Sequence, residues 1–598
     1  VRQNILEDKV DDIDLATNLD PDEVINCLNK NQIKFIDVGK KYGTITAIIE
    51  APSATFYESI GNLKGVDLTS ASLAFKIINT RGFNSTSPVR SLQIIDGNGK
   101  TVVPGFIDSH VHLFGGSAEL SCLNVSQING IENLKQAVQK EIIKKPDENL
   151  IYAVCANYHI LGDDIEITRH TLDMVCPDLP FAMMAADHHT VWANTKALEL
   201  GGIFNGGQTD LGAEIVMGED GFANGVLLET SAFQYVVRHT KHGGRDFLGN
   251  ITGNNPDPEP TTQERELDKI ALKDGLKYCA QFGITSVHNM DGNLYQMELL
   301  NEIERENKLS CRVQVPCHFR NTHPLSKLDE AMKMQNLYNS EKLYSRRVKM
   351  FMDGVIDSYT ALMVEPYPDR PETSGDAVFS PEEFNRVAVA ADRMGLQISV
   401  HCCGDGAVRR TLNAYELSQK ENGKRDSRHR IEHIETITDV DLPRFKQLGV
   451  IASMQPLHSP IGGLFPAMPE GSIFSEKQIK NAYPWQKFRD LGVPLAFSTD
   501  WPVVGLNPME TIAGAVFPKM PDNRWLNQKQ TLENTLASYT TVGAYAEFAE
   551  NKKGMLKKGL LADVVVLSEK LTQADRDCVN RTKALVTICD GEVVFSRQ

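Results

Sequence analysis

No run in this chain approaches the roughly 18 uninterrupted apolar residues that a membrane-spanning helix needs. The best local runs, such as Val564 to Leu567, are strand-sized. That excludes a transmembrane segment from the expectation and leaves a soluble protein, cytoplasmic or secreted, with no membrane partner. Basic charge is in deficit as well, with 62 Lys and Arg against 78 Asp and Glu and a net charge of −16. This balance argues against a general phosphate-binding surface, and so against a nucleic-acid partner. Eleven cysteines are scattered from Cys27 to Cys589 without a CxxC pair or a dense cluster. A disulfide framework and a structural zinc module are therefore not expected, and most cysteines read as buried thiols. Low-complexity tracts are missing too.

What is present is a chain of 598 residues, 41% hydrophobic and 23% charged. At roughly 100 to 200 residues per domain it is longer than one small module, and its composition is that of a globular protein. Sequons at Asn84, Asn124, Asn250 and Asn580 fit a secreted protein, but a long chain rich in Asn, Ser and Thr also yields them by accident. The compartment stays open.

From about Pro104 to Asp500, short apolar runs alternate with stretches of helical spacing, which predicts parallel strands joined by crossover helices. The clearest strands are Val102 to Ile107, Arg347 to Met352, Gln397 to Val400, Arg430 to His433, Val450 to Met454 and Pro494 to Ser498. Pro381 to Met394 and Asp441 to Leu448 read as helices with Gly at or just past their ends. A barrel and a doubly wound sheet fit this alternation equally. The two chain ends differ: Thr44 to Glu50, Ser91 to Ile95, Asp563 to Leu567 and Ala584 to Phe595 are β-rich, which suggests a small sheet built from both termini. Phe114 to about Thr285 is more than one βα unit requires, and it reads as barrel elements plus an inserted cap.

His110 and His112 lie two apart at the end of an apolar run, so on an extended segment both imidazoles face one side and can reach one cation. Lys349, His401, His433 and Asp500 stand in or just beyond the C-terminal part of other predicted strands. In a closed parallel barrel such ends converge on one mouth. Taken singly, His401 or His433 also reads as a core histidine, Lys349 as a snorkelling or ion-paired lysine, and Asp500 as a helix N-cap before Trp501-Pro502.

These positions fall in VPGFIDSHVHL (103 to 113), VKMFMDG (348 to 354), SVHCCGDGAV (399 to 408), RHRIEHIE (428 to 435), SMQPLH (453 to 458), FSTDWPV (497 to 503) and KGLLADVVVLS (558 to 568). As an ordered set they resemble the amidohydrolase superfamily, and within it amidohydrolase family 3, the branch that includes the N-substituted formamide deformylases. The resemblance implies an α/β fold: a (β/α)8 TIM barrel over residues 104 to 545 with an inserted cap at approximately 114 to 285. It also implies a small β-sandwich from residues 1 to 103, with an N-terminal extension, and 546 to 598. It implies metal ligation by His110, His112, His401, His433 and Asp500, with Asp500 also handling protons. Lys349 matches the place where some members carry a carbamylated lysine, which would turn a cation into an anionic oxygen ligand. Zn, one or two ions, suits such nitrogen-rich ligation, although Fe, Mn, Co and Ni use similar side chains.

His458, Arg430, His189 and Glu229 are expected near the substrate, with Asp405 and Glu432 beside the ligand strands. Each also reads as structural: a solvent-exposed loop histidine, ion pairs, or the capped ends of cap elements. Asp187-His188-His189 with Trp192 and Asn194 resembles a family segment that reaches towards the pocket. His288 and His318 border the site without being read as ligands, and Cys402-Cys403 departs from the smaller or aliphatic residues usual after His401. The activity implied is metal-dependent hydrolysis of a C–N bond, an N-acyl or N-formyl amide, in a small-molecule substrate. An ester, lactone or cyclic amide on the same site, and a barrel kept as a binding or structural protein, are the alternatives. A homodimer is compatible with the sequence, but no stripe specifies an interface.

Overall fold

The computed structural model describes residues 93–597 apart from 98, 163–164, 187, 210–212, 463–472 and 573. It also describes the short backbone stretches Asp11–Asp12, Phe35–Ile36, Thr46–Ile49 and Ala74–Ile77. The sequon at Asn84, residue Asp187, and the flanks of the strands expected at Thr44 to Glu50 and Ser91 to Ile95 lie outside the described residues.

The fold is α/β. Its central apolar runs are buried on both faces, as the parallel strands Phe106–Val111, Ile284–Asn289 and Gln397–Cys402 show by burial at every position. Phe106–Val111 pairs with Ile284–Asn289, which pairs with Arg312–Gln314. The next two segments are each interrupted: Arg312–Gln314 pairs with Leu343–Tyr344, and Cys317–His318 pairs with Arg347–Phe351. Gln397–Cys402, Arg430–His433, Ile451–Met454 and Leu495–Phe497 follow in order. A parallel bridge from Trp501 to Val111 returns the last segment to the first, so the eight parallel segments form a circuit.

Helices between them start on local signals. Pro381–Arg393 opens with Ser380 and Glu383 in a reciprocal capping box and with Pro at its first position. The helix expected over Asp441 to Leu448 is α-helical only over Arg444–Leu448, because Pro443 stands at its N-cap and proline is tolerated only at a helix start.

The strand expected at Val102 to Ile107 is two strands. Val102–Pro104 pairs antiparallel with Val564–Leu567, whereas Phe106–Val111 enters the circuit. Gly105 separates them where a Cβ would lie 2.1 Å from Thr285 Oγ1, so only glycine allows the approach. Ala584–Cys589 and Glu592–Ser596 complete the small antiparallel sheet. The expected strand Ala584 to Phe595 is therefore a hairpin, turned at Asp590 and Gly591, both with positive φ. Gln93–Asp96 pairs with Ala74–Ile77, and Ile95 packs on Val564 and Ile588 of the small sheet.

Between Val111 and Ile284 the chain builds a mixed six-stranded sheet of its own, from Leu123–Asn124 at one edge to Glu214–Met217 at the other. It has an apolar core on each face, one around Val191 and Leu227, the other around Met183 and Trp192. Among the described residues no helix is long and apolar enough to cross a membrane. Ten described cysteines are free thiols, seven of them buried.

Candidate metal centre

The carboxyl ends of the parallel segments and the turns just beyond them bring five histidines and an aspartate together. His110 and His112 sit at the end of Phe106–Val111 with ring centroids 5.6 Å apart. Asp500 follows Leu495–Phe497, and its Oδ1 lies 3.4 Å from Nε2 of His110 and 3.3 Å from Nε2 of His112. His433 ends its strand with its ring 4.8 Å from that of His110, and His458 stacks on it at 5.9 Å with Nε2 3.7 Å from Asp500 Oδ2. His401 is 4.5 Å from His433, ring to ring. His110, His112 and Asp500 form one group whose ligand atoms all lie within 4.8 Å of one another, and His433, His458 and Asp500 form a second.

The backbone is strained at this site. Asp500, His433 and Ile434 have φ of 63°, 73° and 53°, a region that ordinary residues rarely adopt. The Asp500 amide donates to the His110 carbonyl at 2.9 Å, and the His112 amide donates to the Trp501 carbonyl at 2.7 Å. The two elements are thereby locked in register at the site.

Three of the imidazoles are also oriented from behind. His110 Nδ1 donates to Glu432 Oε2 at 2.9 Å, His433 Nδ1 donates to Gln455 Oε1 at 2.9 Å, and His401 Nδ1 lies 3.3 Å from Asp353 Oδ1. Such partners set the tautomer and leave the other nitrogen as a lone pair facing the centre. Burial lowers the His110 pKa to about 4, whereas His112 is raised to about 9 because Asp291 and Asp500 outweigh its burial. Burial would raise the Asp500 carboxyl, yet the surrounding imidazoles, His110 first, hold it well below the usual range.

Lys349 is wholly buried, its Nζ 3.7 Å above the Phe351 ring. Burial pushes its pKa down to about 8 against the pull of Glu432 and Asp500. His110 Nε2, Asp500 Oδ1 and Lys349 Nζ are buried without a hydrogen-bond partner. Leaving one such atom unsatisfied costs about 1–3 kcal/mol, so several facing one centre fit a cation ligated by N and O donors.

Other expected residues are placed differently. Arg430 is fully buried, and its guanidinium is committed to Glu432, His288, Ser109 and Ser453. The side chain, expected near the substrate, thereby clamps Glu432 behind His110. His189 Nδ1 and Glu229 Oε1 are 2.9 Å apart at the end of the inserted sheet. Beside them His188 Nε2 meets Glu119 Oε1 at 2.7 Å, which ties that segment to the helix after His112. Asp405 accepts the Val364 amide, and His318 Nδ1 donates to the Gly249 carbonyl, both structural contacts. Sequence reasoning missed Asp291, Asp353 and Gln455. Asp353 and Gln455 lie inside quoted segments, VKMFMDG and SMQPLH, but their residue types alone carry no signal of orienting a histidine.

The model of the amidohydrolase family, in its third branch, matches residues 93–595. Protein LONG AFTER FAR-RED 3 of Arabidopsis thaliana is 29% identical over 485 residues, covering 79% of this chain and 78% of its own. The N-substituted formamide deformylase of Arthrobacter pascens is 24% identical over 527 residues, 84% of this chain and 90% of its own. In fold the chain is similar to a metal-dependent hydrolase of Pyrococcus horikoshii, with a TM-score of 0.60 at 23% identity over 80% of this chain and 88% of that one.

Proposed function

The chain belongs to the amidohydrolase family and is by that membership a metal-dependent hydrolase; we propose that it cleaves the C–N bond of a small N-acyl or N-formyl amide, not a peptide. The observation that carries this reading is the meeting of His110, His112 and Asp500 in one group and of His433, His458 and Asp500 in a second, with buried donor atoms left unsatisfied. In this reading the circuit of parallel segments is the (β/α)8 barrel of residues 104 to 545, the inserted sheet is its cap, and the small antiparallel sheet belongs to a β-sandwich from the two termini.

His110, His112, His401, His433 and Asp500 would hold one or two divalent ions, zinc by donor type, with Lys349 as a further oxygen ligand once carbamylated. A bound ion supplies positive charge that polarises a carbonyl and makes water acidic near neutral pH. Asp500 takes the proton of the attacking water and delivers it to the leaving nitrogen. An amine leaves poorly without that proton, so a carboxylate that first accepts and then donates suits a C–N bond. His458, beside Asp500, donates to the developing oxyanion. His189 and Glu229 close on the substrate from the cap.

The similarity to the Arthrobacter N-substituted formamide deformylase supports the formyl end of this class. A panel of N-formyl amides, N-acyl amides, esters and lactones, run on zinc-loaded protein and on Asp500→Asn, tests it. Turnover confined to esters and lactones, or full amide turnover in the variant, would overturn the assignment.

A further inference from the structure

A chain of buried polar side chains runs from the metal centre to the opposite end of the parallel circuit. Glu432 accepts from His110 Nδ1 and, at 2.9 Å on each oxygen, from Nε and Nη2 of Arg430. Nη2 of Arg430 also donates to the carbonyl of Ser109, the residue before His110, at 2.7 Å. Its Nη1 donates to Nδ1 of His288 at 2.8 Å. Nε2 of His288 lies 3.4 Å from Glu547 Oε2, and Glu547 Oε1 lies 2.7 Å from Lys553 Nζ. Lys553 Nζ ends the chain by donating to Ser286 Oγ at 2.7 Å. All of these residues are buried. The Glu547 end is fixed at the amino ends of the strands: Gln397, the first residue of Gln397–Cys402, donates to the Ala546 carbonyl at 2.9 Å. Phe548 then turns the chain with a φ of 63°.

One tautomer of His288 fits both of its neighbours. A guanidinium donates and never accepts, so Nδ1 must offer a lone pair to Arg430. Burial lowers the His288 pKa to about 4, so the ring is neutral at ordinary pH. Its one proton is therefore on Nε2, directed at the Glu547 carboxylate. With the proton on Nδ1 instead, two donors would face each other, and Arg430 would have to give up His288 or turn its fork away from the two oxygens of Glu432.

We propose that Glu547 is a positioning residue for the metal centre: by accepting Nε2–H of His288 it fixes the tautomer that holds Arg430 on Glu432, and with it the orientation of His110. This rests on the metal-hydrolase reading and extends it to a residue at the far end of the circuit, which touches neither metal nor substrate.

A double-variant cycle on zinc affinity, read by competition with a chromogenic chelator, tests this without relying on turnover. Glu547→Gln leaves one oxygen where there were two. With that oxygen on Lys553, the amide group faces Nε2 and donates to it, which moves the His288 proton to Nδ1. Zinc affinity should fall by about 10-fold, the lower end of what an outer partner of a ligand costs. His288→Leu should cost about as much, and the double variant no more than either change alone, because both break the same chain. A role confined to stability would leave zinc affinity at the wild-type value. A neutron map of deuterium-exchanged wild-type protein needs no variant and should show deuterium on Nε2 of His288 and none on Nδ1. Wild-type affinity in Glu547→Gln, losses that multiply in the double variant, or deuterium on Nδ1 would overturn the positioning role and leave the hydrolase reading standing. A wild-type protein that binds no zinc would overturn both.

Discussion

Nδ1 of His110 donates to Oε2 of Glu432 across 2.9 Å, although 322 residues separate them in sequence. Burial alone would raise the Glu432 pKa, but the Arg430 guanidinium and then His110 hold it well below the carboxylate range. A permanent negative charge therefore sits behind the imidazole, keeping its proton on Nδ1 and its lone pair on Nε2.

Glu432→Gln keeps the shape and removes that charge. Zinc affinity should fall by about 10–100-fold. Arg430 is left as a buried cation without its carboxylate, at a cost of about 3–5 kcal/mol in unfolding free energy. Competition with a chromogenic chelator and urea unfolding read the two effects separately.

Asp500→Asn should lower kcat by about 10²–10⁴-fold, the range of a lost general acid–base group. The fold should persist, since asparagine accepts the left-handed backbone that Asp500 adopts at φ 63°. Steady-state rates, thermal unfolding and zinc content measured on the same samples check this.

The low pKa of Lys349, about 8, makes a neutral amine accessible in mildly alkaline solution. Its nitrogen can then add to carbon dioxide, releasing a proton and forming a carbamate. Metal-stripped protein reconstituted with zinc should regain severalfold more activity with bicarbonate than in degassed buffer. Lys349→Met should show no such difference.

Glu547 is buried between Lys553 Nζ at 2.7 Å and His288 Nε2 at 3.4 Å. Burial opposes its charge, but Lys553 and His288 pull its pKa from 4.5 down to about 2. A carboxyl depressed on folding stabilises the protein above its unfolded pKa and loses that contribution as pH falls towards the folded value. The shift corresponds to about 3 kcal/mol at neutral pH. Glu547→Gln should lower the urea midpoint near neutral pH, and the gap to wild type should close between about pH 5 and pH 2.

The ligand strands were legible because their signal is local. His110 and His112 show the two-residue period of an extended chain, and His401, His433 and Asp500 stand in or just beyond the C-terminal part of their strands. The break at Gly105 was not legible, because it is imposed by Thr285, 180 positions away, and by pairing to Val564–Leu567. Asp353 and Gln455 were missed for a similar reason: their work is defined by partners such as Leu362, Gly404 and Ser498 in other loops. The partners of Arg430 were not legible either, because a sequence shows that a guanidinium is near a site but not that it meets Glu432, His288, Ser109 and Ser453. The inserted sheet escaped description because its pairings, such as Thr190 with Leu228, join segments separated by the short helix Thr195–Gly201 and the strand Glu214–Met217.

An anomalous-difference map at the zinc edge, from crystals grown with zinc, measures the convergence of these side chains directly. A shared cation predicts a peak about 2.0–2.1 Å from an imidazole nitrogen of both His110 and His112, with an Asp500 oxygen at about 2.0–2.2 Å. A featureless map between these residues, with zinc found only elsewhere on the molecule, would contradict it.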